Sequence, residues 1–254
     1  MIIFQFDYTD MGIKKHIPNF ITLLNLISGC IAIIFIFDSK LSIAAYLVFL
    51  AALFDFFDGM VARLLNVKSE IGKELDSLAD VISFGLVPGF IMMKLIQSAF
   101  DIDSIGSDMS RFLPYFALLI PAFSALRLAK FNIDTRQTDR FIGLPTPANA
   151  ILIASFPLIL EQSSTLSGIG LNLIQSLFIN YWFLVPLTLI LSYLLVAELP
   201  LMSLKFSIGD KKKNQLRYLL VGLSMIMLLL FYFAAIPLIL IVYLLMSVFL
   251  KSKI

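Results

Sequence analysis

Hydrophobic positions in this chain come in long, nearly unbroken runs, not in the two-residue alternation or one-sided periodicity of soluble strands and helices. Runs of the length that crosses a bilayer, about 20 mostly apolar residues, fall at residues 17–37, 41–65, 76–97, 112–131, 146–160, 181–197, 216–233 and 235–250. The pattern predicts about eight transmembrane helices. The fifth is short and carries Pro145, Pro147 and Pro157, and residues 171–180 are either interfacial or an extension of the sixth span. Between the seventh and eighth the break is only 234–237, where Pro237 cannot continue the hydrogen-bond ladder and favours a tight reversal. One long kinked helix is the alternative there. The N-terminal stretch has its charges ahead of a full-length span and no small-residue cleavage site after a short apolar core. It is therefore expected to stay, as a short interfacial helix.

Composition agrees with the pattern: of 254 residues 60% are hydrophobic and only 14% charged, with a mean hydropathy of +0.97. These values exclude a soluble fold and describe a multi-span membrane protein. Charge placement tests the count independently, because cytoplasmic loops collect Lys and Arg. With the N-terminus inside, sixteen of the nineteen basic residues fall on the cytoplasmic side, leaving Lys40, Lys94 and Arg111 outside. The longest outer loop instead carries Asp101, Asp103 and Asp108. Both termini are thus expected inside, in a cell membrane. Cys30 is the single cysteine, so no intramolecular disulfide forms. His16 reads as a solvated membrane flank, and Lys211–Lys213 as a run that orients the chain and attracts anionic headgroups. No repeat or linker divides the chain, so residues 1–254 read as a single transmembrane domain.

Against this apolar background residues 55–80 stand apart, reading DFFDGMVARLLNVKSEIGKELDSLAD. At about 100° per residue, Asp55 and Asp58 share one helix face, as do Asp76 and Asp80. A charged residue in a membrane helix costs about 2.5–3.5 kcal/mol on insertion scales, so four unpaired aspartates at one level are strongly unfavourable. Packed carboxylates also repel one another. A hard divalent cation with oxygen ligands meets that need, and two cations meet it better than one.

The spacing from Asp55 is D-x-x-D-G-x-x-A-R-x(8)-G-x(3)-D-x(3)-D, filled by Asp55, Asp58, Gly59, Ala62, Arg63, Gly72, Asp76 and Asp80. At every fixed position it resembles the signature of the CDP-alcohol phosphotransferase family. The resemblance implies a six-helix core, here 17–197 with 216–250 as two additional helices, a dinuclear Mg2+ or Mn2+ site, a CDP-linked lipid substrate, release of CMP, and a homodimer. Asp55, Asp58 and Asp76 suit the metal ligands, with Asp80 a further one. Gly59 and Ala62 leave their face open to a nucleotide, and Arg63 can fork onto diphosphate oxygens. By the same resemblance Ser69 contacts the nucleotide, and Asp80 is the catalytic base that takes the proton of the incoming hydroxyl.

Further stretches resemble the phosphatidylserine synthase branch of that family: DSLADVISFGLVPG from Asp76, RLAKFN from Arg127 and GLPTPANA from Gly143. PNFITLLNLISG from Pro18 looks like the family's first helix, where Asn19, Thr22 and Asn25 recur every three residues and either face the nucleotide or bond between helices. The branch implies transfer of the phosphatidyl group from CDP-diacylglycerol, or an ether-lipid analogue, to L-serine. Arg127, Lys130, Asn132 and Arg136 are the candidates for the serine carboxylate, although Lys130 stands where the branch commonly has arginine, which weakens a bidentate role. Inositol phosphate and glycerol phosphate are the alternative acceptors. From another class, a cation transporter would spread its acids through the membrane depth, whereas these lie at one side. Membrane lipids are expected partners and nucleic acid is not.

Overall fold

The computed structural model describes residues 8–67, 69–103, 108–133, 141–165, 176–202 and 211–249. The chain is helical almost throughout, as expected for an all-α membrane protein. In order come α1 (Tyr8–Phe37), α2 (Leu41–Leu64), α3 (Glu70–Asp80), a π-helical stretch (Val81–Leu86), α4 (Val87–Asp103), a 3-10 stretch (Asp108–Leu118), α5 (Leu119–Ile133), β1 (Phe141–Ile142), α6 (Thr146–Thr165), α7 (Tyr181–Val196), β2 (Pro200–Leu201), α8 (Lys211–Phe231), a 3-10 turn (Tyr232–Ala234) and α9 (Ala235–Phe249).

Among the described residues, five helical stretches are long and apolar enough to cross a membrane: His16–Phe37, Leu41–Leu64, Glu70–Phe100, Arg111–Ile133 and Asn214–Ser247. Tyr181–Val196 is apolar but shorter. The fifth predicted span is α6, which carries the polar Asn149, Glu161 and Gln162 within its length. The stretch Asn214–Ser247 is two helices, not one. Leu220 of α8 and Tyr243 of α9 share one buried cluster, yet a continuous helix would hold them about 34 Å apart. The chain reverses at Tyr232, whose φ of +50° breaks the helical path. A helix therefore lies on each of the eight predicted runs, although α6 and α7 fall short of the length and apolarity of a full crossing.

The N-terminal segment differs from expectation. It does not form a separate interfacial helix: α1 runs unbroken from Tyr8 through Pro18 into the first span. A short antiparallel ladder, Phe141 opposite Leu201 and Ile142 opposite Pro200, was not foreseen either. It ties the entry of α6 to the exit of α7, where the Gly143 amide donates to the Leu199 carbonyl at 3.0 Å and Leu144 to the Leu194 carbonyl at 2.9 Å.

The continuous α3–α4 rod is the most enclosed of the candidate spans, and the core forms around it. Phe84, Ile91, Met92 and Ile96 pack with Ile36 of α1, Ile120 of α5, and Ile153, Phe156 and Ile159 of α6. Small residues let the backbones approach: Ala44, Ala45 and Ala51 of α2 are buried beside Ala32 of α1. Outward-facing side chains such as Phe20, Ile34, Trp182, Leu229 and Leu230 are exposed, which places them against lipid in a multi-span protein.

Candidate active site

The aspartate motif straddles a helix–turn–helix whose sequence specifies its own turn. Helix α2 ends where Asn66 takes a left-handed φ of +52°, a conformation asparagine tolerates better than most residues. The Val67 amide then reaches back to the Ala62 carbonyl at 3.0 Å and the Leu65 amide to Val61 at 2.9 Å, satisfying the last carbonyls of the helix. Two residues on, Ser69 caps α3, its hydroxyl oxygen accepting from the Gly72 amide at 3.2 Å. The second pair of aspartates is thereby folded back onto the first.

Asp55, Asp76 and Asp80 each present a carboxylate oxygen within 4.8 Å of the other two. That separation suits oxygens sharing a hard cation, which binds them at about 2.0–2.6 Å. Asp55 and Asp76 come within hydrogen-bonding range of each other, a contact that two carboxyl groups keep only with a shared proton or a cation between them. Asp76 Oδ1 is also buried without a partner. The donor set fits a divalent metal. Asp58 stands one turn further along α2, outside this trio but close enough to act on Asp76, and it accepts from the Thr22 hydroxyl at 2.7 Å.

A cleft of about 650 Å3 opens beside the aspartates, lined by Asn19, Thr22, Asp58, Gly59, Ala62, Ser69, Gly72, Lys73 and Asp76 with Pro18, Val67 and Glu70. Five predicted nucleotide residues, Asn19, Thr22, Gly59, Ala62 and Ser69, thus converge on one space. A methyl group on Gly59 would meet nothing nearer than the Arg63 guanidinium at 4.0 Å, so that wall is open. Gly72 plays a different part: a Cβ there would lie 2.8 Å from Asn19 Oδ1, so glycine lets α3 approach α1. Arg63 is exposed, and its Nε donates to the Gly59 carbonyl at 2.8 Å.

Asn25 is placed otherwise than a nucleotide contact requires. It is fully buried and absent from the cleft lining. Its side-chain amide instead donates to Asp80 Oδ1 at 3.3 Å, and its backbone carbonyl accepts from the Ser83 hydroxyl at 3.0 Å. Ser83 lies in the π-helical stretch that follows Asp80. Such bulges inside α-helices frequently mark functional sites, and this one turns Ser83 toward α1.

The candidates on α5 separate into distinct settings. Arg127 is buried, donates from Nη1 to the Thr146 hydroxyl at 3.1 Å and acts electrostatically on Asp80. Asn132 joins two helices: its side-chain amide donates to Ser77 Oγ at 2.9 Å, and its backbone carbonyl accepts from Lys73 Nζ at 2.9 Å. Lys130 is exposed, and Arg136 lies outside the described residues. Sequence reasoning passed over Lys73, Ser77, Ser83 and Thr146, whose roles depend on partners from 19 to 59 positions away along the chain.

The sequence model of the CDP-alcohol phosphatidyltransferase family matches residues 15–192. Among curated proteins, the chain is 36% identical over 153 residues to the CDP-diacylglycerol–serine O-phosphatidyltransferase of Helicobacter pylori, covering 59% of this chain and 61% of that protein. The enzyme of the same name from Bacillus subtilis is 36% identical over 144 residues, covering 56% of this chain and 76% of that one. The archaetidylserine synthase of Methanothermobacter thermautotrophicus is 37% identical over 143 residues, covering 55% and 57%. The aligned stretch thus spans about three-fifths of the length of the Helicobacter relative.

Proposed function

The chain belongs to the CDP-alcohol phosphatidyltransferase family, and from that premise we propose that it transfers the phosphatidyl group of CDP-diacylglycerol, or of an ether-lipid analogue, to L-serine. The products are phosphatidylserine and CMP. The observation that carries the reading is the trio Asp55, Asp76 and Asp80 beside a cleft lined by Asn19, Thr22, Gly59, Ala62 and Ser69. The names of the relatives from Helicobacter, Bacillus and Methanothermobacter support serine as the acceptor.

In this reading Asp55, Asp58, Asp76 and Asp80 hold two divalent cations, Mg2+ or Mn2+. Bound there, the cations would neutralise the diphosphate and the departing CMP. The cytidine nucleotide occupies the cleft, with Gly59 and Ala62 allowing close approach and Arg63 swinging onto diphosphate oxygens from its rim position. Asp80 takes the proton from the serine hydroxyl as that oxygen bonds to the lipid-side phosphorus. The bond from that phosphorus to the bridging oxygen breaks, and CMP leaves with the electron pair. Asn25 orients Asp80, since an amide N–H on Oδ1 leaves the other oxygen for chemistry. Residues 17–197 form the catalytic core, 216–250 add a C-terminal hairpin, and two copies of the chain form a homodimer in the cell membrane. The active site and both termini face the cytoplasm.

The test is direct. Purified protein is given CDP-diacylglycerol, Mg2+ or Mn2+, and serine, inositol phosphate or glycerol phosphate separately, with CMP and lipid product measured. Serine alone should support rapid CMP release. Release with a different alcohol would move the acceptor, and none with any acceptor would refute the transferase reading.

A further inference from the structure

Eight buried side-chain atoms lack a hydrogen-bond partner among the described residues, and four of them belong to three side chains of α5 and α6: Ser124 Oγ, Arg127 Nε, and both Nδ2 and Oδ1 of Asn149. Ser124 and Arg127 lie one turn apart on α5. Arg127 Nη1 grips Thr146 in the first turn of α6 at 3.1 Å, and Asn149 follows three residues later, on the same helix face. Asn149 and Ser124 are wholly buried, and Arg127 is only 8% exposed. Buried polar atoms almost always find partners. An asparagine with neither end of its amide satisfied is unfavourable for the folded protein by itself, so the concentration of such atoms beside Arg127 asks for an occupant.

The chemistry of these atoms restricts what it is. Arg127 Nε–H and Asn149 Nδ2–H are unused donors, suited to the two oxygens of one carboxylate, with the guanidinium supplying the charge. Asn149 Oδ1 and Ser124 Oγ are unused acceptors, suited to an ammonium group. Arg127 reaches electrostatically to Asp80, the proposed base, so Arg127 lies near the aspartates. We infer that Asn149, together with Arg127, forms a subsite for the zwitterionic backbone of an α-amino acid acceptor, and that Asn149 selects it. The inference rests on the transferase reading above and deepens it. A sugar or glycerol phosphate would bring about two negative charges, and Arg127 is the only buried cation on α5 and α6 among the described residues.

The experiment compares wild type with Asn149→Leu, which keeps the volume and deletes both polar ends, and with Asn149→Asp, which keeps the size and sets a negative charge where the carboxylate would sit. In both variants the serine concentration for half-maximal CMP release should rise about tenfold or more, as expected where a polar contact to substrate is removed, while the CDP-lipid dependence stays within about twofold. Thermal stability of Asn149→Leu without substrates should equal or exceed wild type, because an unsatisfied amide has been replaced by an apolar group. With wild-type protein, 3-hydroxypropanoate and ethanolamine, which each lack one charge of serine, should be poorer acceptors by a similar factor. The subsite is overturned if serine dependence in Asn149→Leu matches wild type, which would mean that ordered water alone fills the space, or if that variant melts lower, which would mean a structural amide. Absence of serine-dependent CMP release in wild type would refute the transferase reading itself and the subsite with it.

Discussion

Asp58 and Asp80 are buried to the same degree yet hold different neighbours, and their substitutions should part accordingly. Asp58 touches Thr22 and borders the cleft; Asp80 stands off the cleft lining, bonded by Asn25. Asp80→Asn should lower turnover by about 10²–10⁴-fold, the range of a lost general base, while CDP-lipid binding is largely kept. Asp58→Asn should weaken that binding. Equilibrium binding of the nucleotide lipid, set beside steady-state rates, checks both. Equal loss of binding in the two would make Asp80 chiefly a ligand. Near-normal rates after thorough chelation would refute metal involvement altogether. On α5 the same approach separates Arg127 from Asn132. Arg127→Ala should mainly raise the serine requirement, whereas Asn132→Ala removes the amide held by Ser77 and should lower stability and affect both substrates. The four aspartates were legible because spacing along one helix is a local property. The settings of Asn25 and Asn132 were not, since neither a three-residue recurrence on α1 nor a position near the end of α5 says which partner arrives from 55 positions away.

At the scale of elements, the site depends on close helix contacts that only small residues allow. A Cβ on Gly29 of α1 would stand 2.5 Å from Ser83 Oγ and 3.0 Å from Ser83 Cα, and the latter is backbone that cannot rotate away. Gly29→Val should therefore push the π-helical stretch off α1, costing about 1–3 kcal/mol as overpacking does, and should reduce turnover by displacing Asp80. Gly222→Ala is the matched control, because nothing lies within 4 Å of the added atom. Thermal melts and CMP release on the two variants check this, and equal behaviour would remove the packing argument. Gly143 is constrained in another way, with φ at +75° and the carbonyl oxygens of Leu195 and Ala197 at 2.8 and 3.0 Å from an added Cβ. Gly143→Ala should loosen the entry of α6 and so raise the serine requirement through Thr146 and Asn149. The spans were readable from hydrophobic run length. The π stretch and the start of α5 in a 3-10 stretch were not, because both respond to tertiary packing and leave no distinct mark in hydropathy.

Across the whole molecule, the hairpin of α8 and α9 decides the topology. Were Asn214–Ser247 one kinked helix, its two ends would lie on opposite sides of the bilayer. A reversal at Tyr232 returns them to one side, and the structure ties that side to the end of α7: the Tyr243 hydroxyl donates to the Met202 carbonyl at 3.0 Å, and Met202 N donates to Ser247 Oγ at 3.2 Å. The ladder of β1 and β2 joins the same end to the entry of α6. Basic residues gather toward the cytoplasm, so Ser69, Lys212 and Ser252 should all be cytoplasmic and Asp103 external. Single cysteines at these four positions, in a background where Cys30 is replaced by serine, can be labelled with a membrane-impermeant thiol reagent in intact and opened vesicles. Matching accessibility at 69, 212 and 252, opposite to 103, is the expected result. Labelling of Ser252→Cys from the face opposite Lys212→Cys would mean that α8 and α9 span the membrane as one rod, and the contacts of Tyr243 and Ser247 with Met202 could not then form.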